Sequence, residues 1–431
     1  MKTESLQDNA DPVCEFYTSH PFPPPVKNMT RDVWRDENVQ RAEFHLLWPD
    51  KEYRADLDVL VAGCGTQEAA RFALNHPAAH VVGIDVAQPS IQYHEMLKRE
   101  HNLANLEARQ LPIEDVANLD QHFDLIISNG VLHHLAEPDV GLRALRSVLK
   151  SDGAMYLLVY APYGRAGVYV LEEYCRSLGI GTSRQELTDL TAVLKALPEH
   201  HPLFAAQGGA REFLDAGPMA DALMNPRHRA YSVPQLFEFI ERNGLVLGGW
   251  DMQAQYLPQC GSFAATPHAK RLAARPEREQ YAAMELWRGL MTVHSFVVHR
   301  NDMNNHGSKV RFDDEQYLHY VPIRRPATMC VRQGVPPGAE GVLLNKLHPF
   351  RDLFLVINKQ EKQMLDAING RRSISEIAGK DGNGASLARR FFEKLWWYDQ
   401  VVFNTSKAFL ILLFHFLSDE ISLGNLLMAL S

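Results

Sequence analysis

Between residues 58 and 162, short strand-like runs recur, most of them apolar, each followed by a longer stretch of mixed polarity. The runs 59–62, 81–84, 106–109, 125–128 and 154–160 have the length of strands. Stretches 67–74, 91–101 and 139–149 between them have helical spacing, and Gly153 follows the last as part of a turn. Strand alternating with helix predicts a parallel α/β sheet. Two further strand patterns, 245–252 and 295–299, enclose an Arg/Glu-rich helix and bring the total to seven. From 163 to 230 the pattern is helical and irregular, which predicts an insertion after the fifth strand forming a lid. Ser232 is placed to cap a helix with Pro234 in its first turn and Asn243-Gly244 at its end.

The flanks read differently. Residues 1–55 form a leader rich in aromatics and prolines, with a helix over 31–48 closed by Pro49. The polar segment 301–308 separates the region 56–302 from a smaller unit, 311–404. That unit shows a strand at 353–357, a helix at 359–368, a turn at Asn369-Gly370, helices at 373–378 and 386–398, and a strand ending at Phe403. The order predicts a small α+β, winged-helix-like domain. The stretch 405–431 is apolar with helical spacing, able to cover its own domain or a second copy of the chain, so a homodimer is one expectation.

Composition removes several function classes. Lys and Arg total 44 against 52 Asp and Glu, a net charge of −8, so no overall basic field exists to hold nucleic acid. The five cysteines are scattered with no CxxC, which argues against a structural zinc site or a disulfide framework. The apolar run 408–417 is too short to span a bilayer, and residues 1–11 are polar with no secretory hydrophobic region. A cytoplasmic chain without metal or membrane partner is expected.

Candidate chemistry begins at the first strand. Gly63-Cys64-Gly65 follows the run 59–62, and the second run ends in Asp85 about 20 residues on, where a carboxylate can accept hydrogen bonds from ribose hydroxyls. Gly63 and Gly65 allow close approach of the backbone to a ligand. A dinucleotide turn would carry a third glycine where this chain has Glu68, preceded by Gln67. A carboxylate there repels pyrophosphate. The better match is a nucleoside without phosphates, and S-adenosylmethionine is one.

The segments 58–67, 82–85, 106–111, 123–135 and 145–160 resemble, in order, the successive motifs of class I S-adenosylmethionine-dependent methyltransferases. The resemblance implies a Rossmann-like, seven-stranded, mostly parallel sheet with the cofactor at the ends of its first two strands. Carried over by position, Gly63, Cys64 and Gly65 line the methionine part, with Gln67 offering an amide nearby. Asp85 holds the ribose, Val86 lies against the adenine, and Gln110 and Leu111 contact the adenine edge. Asn129 and Gly130 flank the carboxypropyl group and the methyl. The chain departs from the family at Val61, where an acidic residue is usual, and at Gln67, where a glycine is usual.

His133, His134 and Tyr160 stand at the functional edge of the sheet. Either histidine could take a proton from an acceptor, or the pair could pack and cap the following helix. Tyr17 and Phe22 of the leader could enclose a sulfonium or strap the sheet edge. Tyr163 and Arg165 could shape the acceptor pocket, Arg165 by binding a carboxylate. The pattern around Asn369-Gly370 and Ser373 resembles small winged-helix peptide-recognition domains of enzymes that modify ribosomally made peptides. A small-molecule acceptor is the first expectation. A peptide presented by the C-terminal domain and a non-catalytic sensor are the alternatives.

Overall fold

Val59, Leu60, Val61 and Ala62 of strand β1 (Asp58–Ala62) are all fully buried. A strand covered on both faces is apolar at every position, which is why this run does not alternate. The structure is a computed structural model describing residues 11–26, 29–30, 36–205, 216–302, 310–379 and 382–406. In it β1 pairs in parallel with β2 (His80–Asp85) and β4 (Phe123–Asn129). Strands β3 (Leu106–Gln110) and β5 (Leu149–Tyr160) extend the sheet on either side. Strands β6 (Leu245–Trp250) and β7 (Val293–Arg300) complete it in antiparallel sense. The order is β3-β2-β1-β4-β5-β7-β6, the Rossmann-like sheet of seven strands that the sequence predicts. Strand order reverses between β1 and β4, so a crevice opens at their carboxyl ends.

Helices Glu68–Asn75, Gln88–Glu100 and Pro138–Ser147 connect the parallel strands. Ala69, Ala70 and Ala73 let the first lie close to the sheet; a Cβ on Gly83 of β2 would stand 2.7 Å from that of Ala69. The third helix ends earlier than its spacing predicts, and β5 begins at Leu149. Phe123 pairs with Leu149 but Leu125 with Ala154, so the expected turn at Gly153 is an irregularity inside a strand. At the opposite, amino-terminal edge of the sheet, Lys150 Nζ bridges Asp58 and Asp124 at 2.7 and 2.9 Å. β7 carries a fully buried His294 whose Nε2 lies 3.2 Å from Glu285 Oε1, while Glu285 Oε2 accepts from the Val233 N–H at 2.7 Å.

The lid has a core of its own. Helices Ala166–Ser177, Arg184–Lys195 and Ala216–Met224 bury Val168, Leu171, Leu187, Leu190, Leu194 and Met219 against one another. Leu187, Leu190 and Leu194 follow the i, i+3, i+7 spacing of one helical face. The leader helix Pro12–Ser19 adds Phe16 to this cluster.

The chain divides into two compact units, the first comprising 1–32, 55–250 and 281–304 and the second 33–54, 251–280 and 305–431. The second unit thus contains two segments that the sequence pattern groups with the leader and the sheet. Helix Glu37–Leu47 packs Ala42 on Ile323 and Val402 of a two-stranded ladder, β8 (Val321–Arg324) with β12 (Val401–Asn404). The Gln253 and Ala254 N–H groups donate to the Asp399 carboxylate at 3.0 Å each. A three-stranded antiparallel sheet of β9 (Thr328–Val331), β10 (Gly341–Asn345) and β11 (Phe354–Ile357) completes the β content. Helices Lys359–Asp366, Ile374–Ala378 and Gly382–Trp397 occur in the expected order before β12. The expected terminal helix falls on residues 407–431, outside the described part, and most of the expected linker lies there too.

No helix among the described residues is long and apolar enough to cross a membrane. No cluster of His, Cys, Asp and Glu among them could hold a metal ion.

Candidate functional site

The turn after β1 is held tightly from three sides. The Gly63 and Cys64 N–H groups both donate to the Ile84 carbonyl, at 2.8 and 2.9 Å. Gly63 and Gly65 have φ of 76° and 54°, conformations that glycine adopts without steric cost. A Cβ on Gly65 would come within 2.5 Å of the Phe22 carbonyl oxygen, because the leader crosses the turn at this point. Thr66 Oγ1 donates to the Pro23 carbonyl at 2.7 Å and secures the crossing.

Asp85 faces the turn from the end of β2. Its two oxygens accept from the Gly65 N–H and the Ala87 N–H, each at 2.9 Å. Burial pushes its carboxyl up to about 6, opposed by these backbone donors. A carboxylate has about four acceptor positions, so capacity remains for ribose hydroxyl groups. Cys64 is buried, its thiol raised by burial and then by Asp85 and Glu68; it is a packing residue beside His94.

The turn, Asp85, Val86 and Leu111 line one end of a cavity of about 660 Å³, within the range of sites for drug-sized ligands. Asn129 and Gly130, following β4, form its middle. Gly130 has φ 75° and open space where a Cβ would stand. Asn129 Nδ2 donates to Glu68 Oε1, and its own buried Oδ1 has no partner. The donor and acceptor set therefore fits a nucleoside joined to an amino acid. Glu68 and Arg71, one helical turn apart, also line this end, and Arg71 reaches Gln67 Oε1 at 3.2 Å. Burial pushes Glu68 up to about 7 against the lowering effects of Asn129 and Arg71.

The far end is lined by Tyr17, His134, Tyr160, Arg165 and Asp221. Tyr17 donates to Asp221 Oδ1 at 2.7 Å and accepts from Asn225 Nδ2 at 2.9 Å. Tyr160 OH makes a longer contact, 3.5 Å, with Asp221 Oδ2. Burial, then Asp221, holds both phenols above their ordinary range, so both are proton donors at neutral pH. Arg165 stacks on the Tyr160 ring with 3.6 Å between Cζ and the ring centre, an arrangement worth about 2 kcal/mol when desolvated. His134 Nδ1 lies 2.6 Å from the Arg227 carbonyl. A carbonyl only accepts, so Nδ1 carries the proton and Nε2 is the bare acceptor. Burial also lowers its pKa, which keeps the ring neutral.

A family profile described as a methyltransferase domain matches residues 54–177. These residues form a class I methyltransferase domain. Among relatives, an uncharacterised Synechococcus protein is 27% identical over 62% of this chain and 65% of its own length. A ubiquinone biosynthesis O-methyltransferase of Neisseria meningitidis is 29% identical over 29% of this chain and 56% of its own. The chain thus spans less than two thirds of either relative. In fold, the chain is similar to PKMT2 from Rickettsia typhi, with a TM-score of 0.61 at 15% identity, over 87% of this chain and 77% of that one. The structure of PKMT2 in complex with AdoHcy gives a TM-score of 0.56.

Within the methyltransferase domain and its lid, most sequence candidates converge on the cavity, but three do not line it. Gln110 is exposed and donates to the Val86 carbonyl at 2.9 Å, bracing the strand end. Tyr163 is 42% exposed. His133 is completely buried, tilted against the Tyr160 ring at 3.8 Å, with neither ring nitrogen hydrogen-bonded. Burial lowers its pKa far below the usual range, so its place is in packing. Sequence reasoning missed Asp221 and Asn225, which lie in an irregular insertion without a motif. It also missed Arg71 and read Glu68 only as a bar to phosphate; the i, i+3 spacing of these two charges was the available signal.

Proposed function

We propose that the chain transfers a methyl group from S-adenosylmethionine to a small acceptor that carries a carboxylate. The observation that supports this most is Arg165, a residue 7% exposed in the cavity wall whose Nε and Nη2 are unpartnered. A buried cation without an anion is costly, and a carboxylate presented to a guanidinium makes two parallel hydrogen bonds. The leader and lid residues over this end suit an enclosed metabolite better than a peptide.

Bound in the cavity, S-adenosylmethionine supplies an electrophilic methyl group on a sulfonium. Asp85 takes the ribose hydroxyls, while Val86 and Leu111 pack beside the base. Glu68 does the work of the acid missing at Val61 by holding the ligand's ammonium, and Arg71 faces its carboxylate. His134, neutral with Nε2 bare, accepts the proton an acceptor hydroxyl or amine releases. The winged-helix-like reading of the second unit stands beside this as a proposal about an accessory role.

The function is tested by incubating the full chain with S-adenosylmethionine and a metabolite extract. S-adenosylhomocysteine should form, and passing the extract through an anion exchanger should remove the activity. Formation that persists undiminished in the anion-depleted extract contradicts the carboxylate.

Glu68 makes a second expectation. An ammonium beside it favours its ionised form, so ligand binding must expel the proton that its raised pKa retains. Affinity for S-adenosylhomocysteine should therefore rise from about pH 6 to about pH 8. Glu68→Gln keeps the contact with Asn129 but loses the charge. It should bind about tenfold more weakly at pH 8, with only the shallower dependence from Asp85 left below pH 7. Equal calorimetric affinities for the two proteins at pH 8 contradict the assignment.

A further inference from the structure

Arg165 and Asp221 are two opposite charges in the wall of one cavity, 7% and 8% exposed. They flank the same side chain: the guanidinium lies over the Tyr160 ring, and the carboxylate faces the Tyr160 hydroxyl. Among the described residues they do not pair with each other. Arg165 keeps Nε and Nη2 unpartnered although its guanidinium also meets Tyr169. Asp221 receives one short hydrogen bond, from Tyr17, which is itself fixed by Asn225. A single Tyr17 proton does not fill the acceptor capacity of a carboxylate.

Two buried ions of opposite sign attract strongly where water is scarce, and side chains free to do so would collapse into a pair. Here each is held back, Arg165 by its seat on the Tyr160 ring and Asp221 by Tyr17. The arrangement is matched by a ligand of two charges with the reverse polarity. Tyr17 and Tyr160 meet the Asp221 carboxylate with their hydroxyls, and the neutral His134 ring stands edge-on to both, so no second cation faces this carboxylate from them.

We infer that the acceptor is dipolar, an amino-acid-like molecule whose carboxylate sits on Arg165 and whose ammonium sits on Asp221. This rests on the proposed methyltransferase reading and narrows its substrate from anions in general to carboxylates that also carry an amine. Asp221 is a binding and positioning residue here, and recognition of the acceptor requires both charges together.

The test uses the full-length chain saturated with S-adenosylhomocysteine, titrated calorimetrically with straight-chain ω-amino acids of increasing length. Butylamine and butyrate serve as controls with a single charge. One length should bind at least about tenfold more tightly than either control. Arg165→Gln should reduce that ligand to the affinity of butylamine, and Asp221→Asn, which still accepts from Tyr17, to that of butyrate. Unchanged S-adenosylhomocysteine affinity in both variants shows that the cavity is intact. If no amino acid binds more tightly than the controls, or if Asp221→Asn leaves its affinity unaltered, the inference is overturned. Failure of the underlying reading looks different: the wild-type chain would not bind S-adenosylhomocysteine, or butyrate would bind independently of Arg165.

Discussion

An Asp85→Ala variant is expected to bind S-adenosylhomocysteine at least about 100-fold more weakly than the unaltered chain. Hydrogen bonds from neutral donors to a charged acceptor contribute about 1.5–3 kcal/mol each, and a ribose offers two hydroxyls. Losing both amounts to about 3 kcal/mol or more, a factor above 100 in the dissociation constant. The variant also strips the Gly65 and Ala87 N–H groups of their acceptor, so the turn beneath the ligand loses its brace. Asp85→Asn separates the two effects. Its amide oxygen can still accept from one backbone donor, and its affinity should lie between those of the other two proteins. Calorimetry on all three gives the comparison, and an Asp85→Ala protein with unaltered affinity would remove the ribose assignment.

Glu285→Ala should have the largest effect on stability. Glu285 is 1% exposed, and its two oxygens meet the Val233 N–H and the fully buried His294 ring. The change leaves the buried Val233 N–H without its acceptor, at a cost of about 1–3 kcal/mol, to which the space left by the lost side chain adds. That space lies between the helix Glu277–Arg288 and β7. For a folding unit of this size, each kcal/mol lowers the melting temperature by about 2–4 °C. Thermal unfolding should shift down by about 6 °C, and a shift below about 2 °C would mean that the cluster contributes little.

The centre of the sheet was legible because β1, β2 and β4 are short, continuous and largely apolar, a consequence of burial on both faces. The seven strand cores at 59–62, 81–84, 106–109, 125–128, 154–160, 245–252 and 295–299 all fall on observed strands, with ends displaced by a few residues. The turn chemistry was legible for a related reason: Gly63, Gly65 and Asp85 are constrained by backbone geometry within a few residues of each other in space. What was not legible depends on contacts between distant segments. Helix Glu37–Leu47 has an ordinary amphipathic pattern, and only its packing on Ile323 and Val402 reveals that it belongs to the second unit. β8 is a short strand whose partner, β12, lies far along the chain, and Pro336 and Gly341 mask the hairpin between β9 and β10. Asp221 acquires meaning from Tyr17, more than 200 residues away.

On this reading the cavity takes a nucleoside joined to an amino acid and has no place for a pyrophosphate. The most direct test is calorimetric titration of the full-length chain at pH 8 with S-adenosylhomocysteine and, separately, with a nicotinamide dinucleotide. Saturable binding of S-adenosylhomocysteine is expected at one site per chain, in about the micromolar range, with no detectable binding of the dinucleotide. Binding of the dinucleotide with none of S-adenosylhomocysteine would contradict this reading.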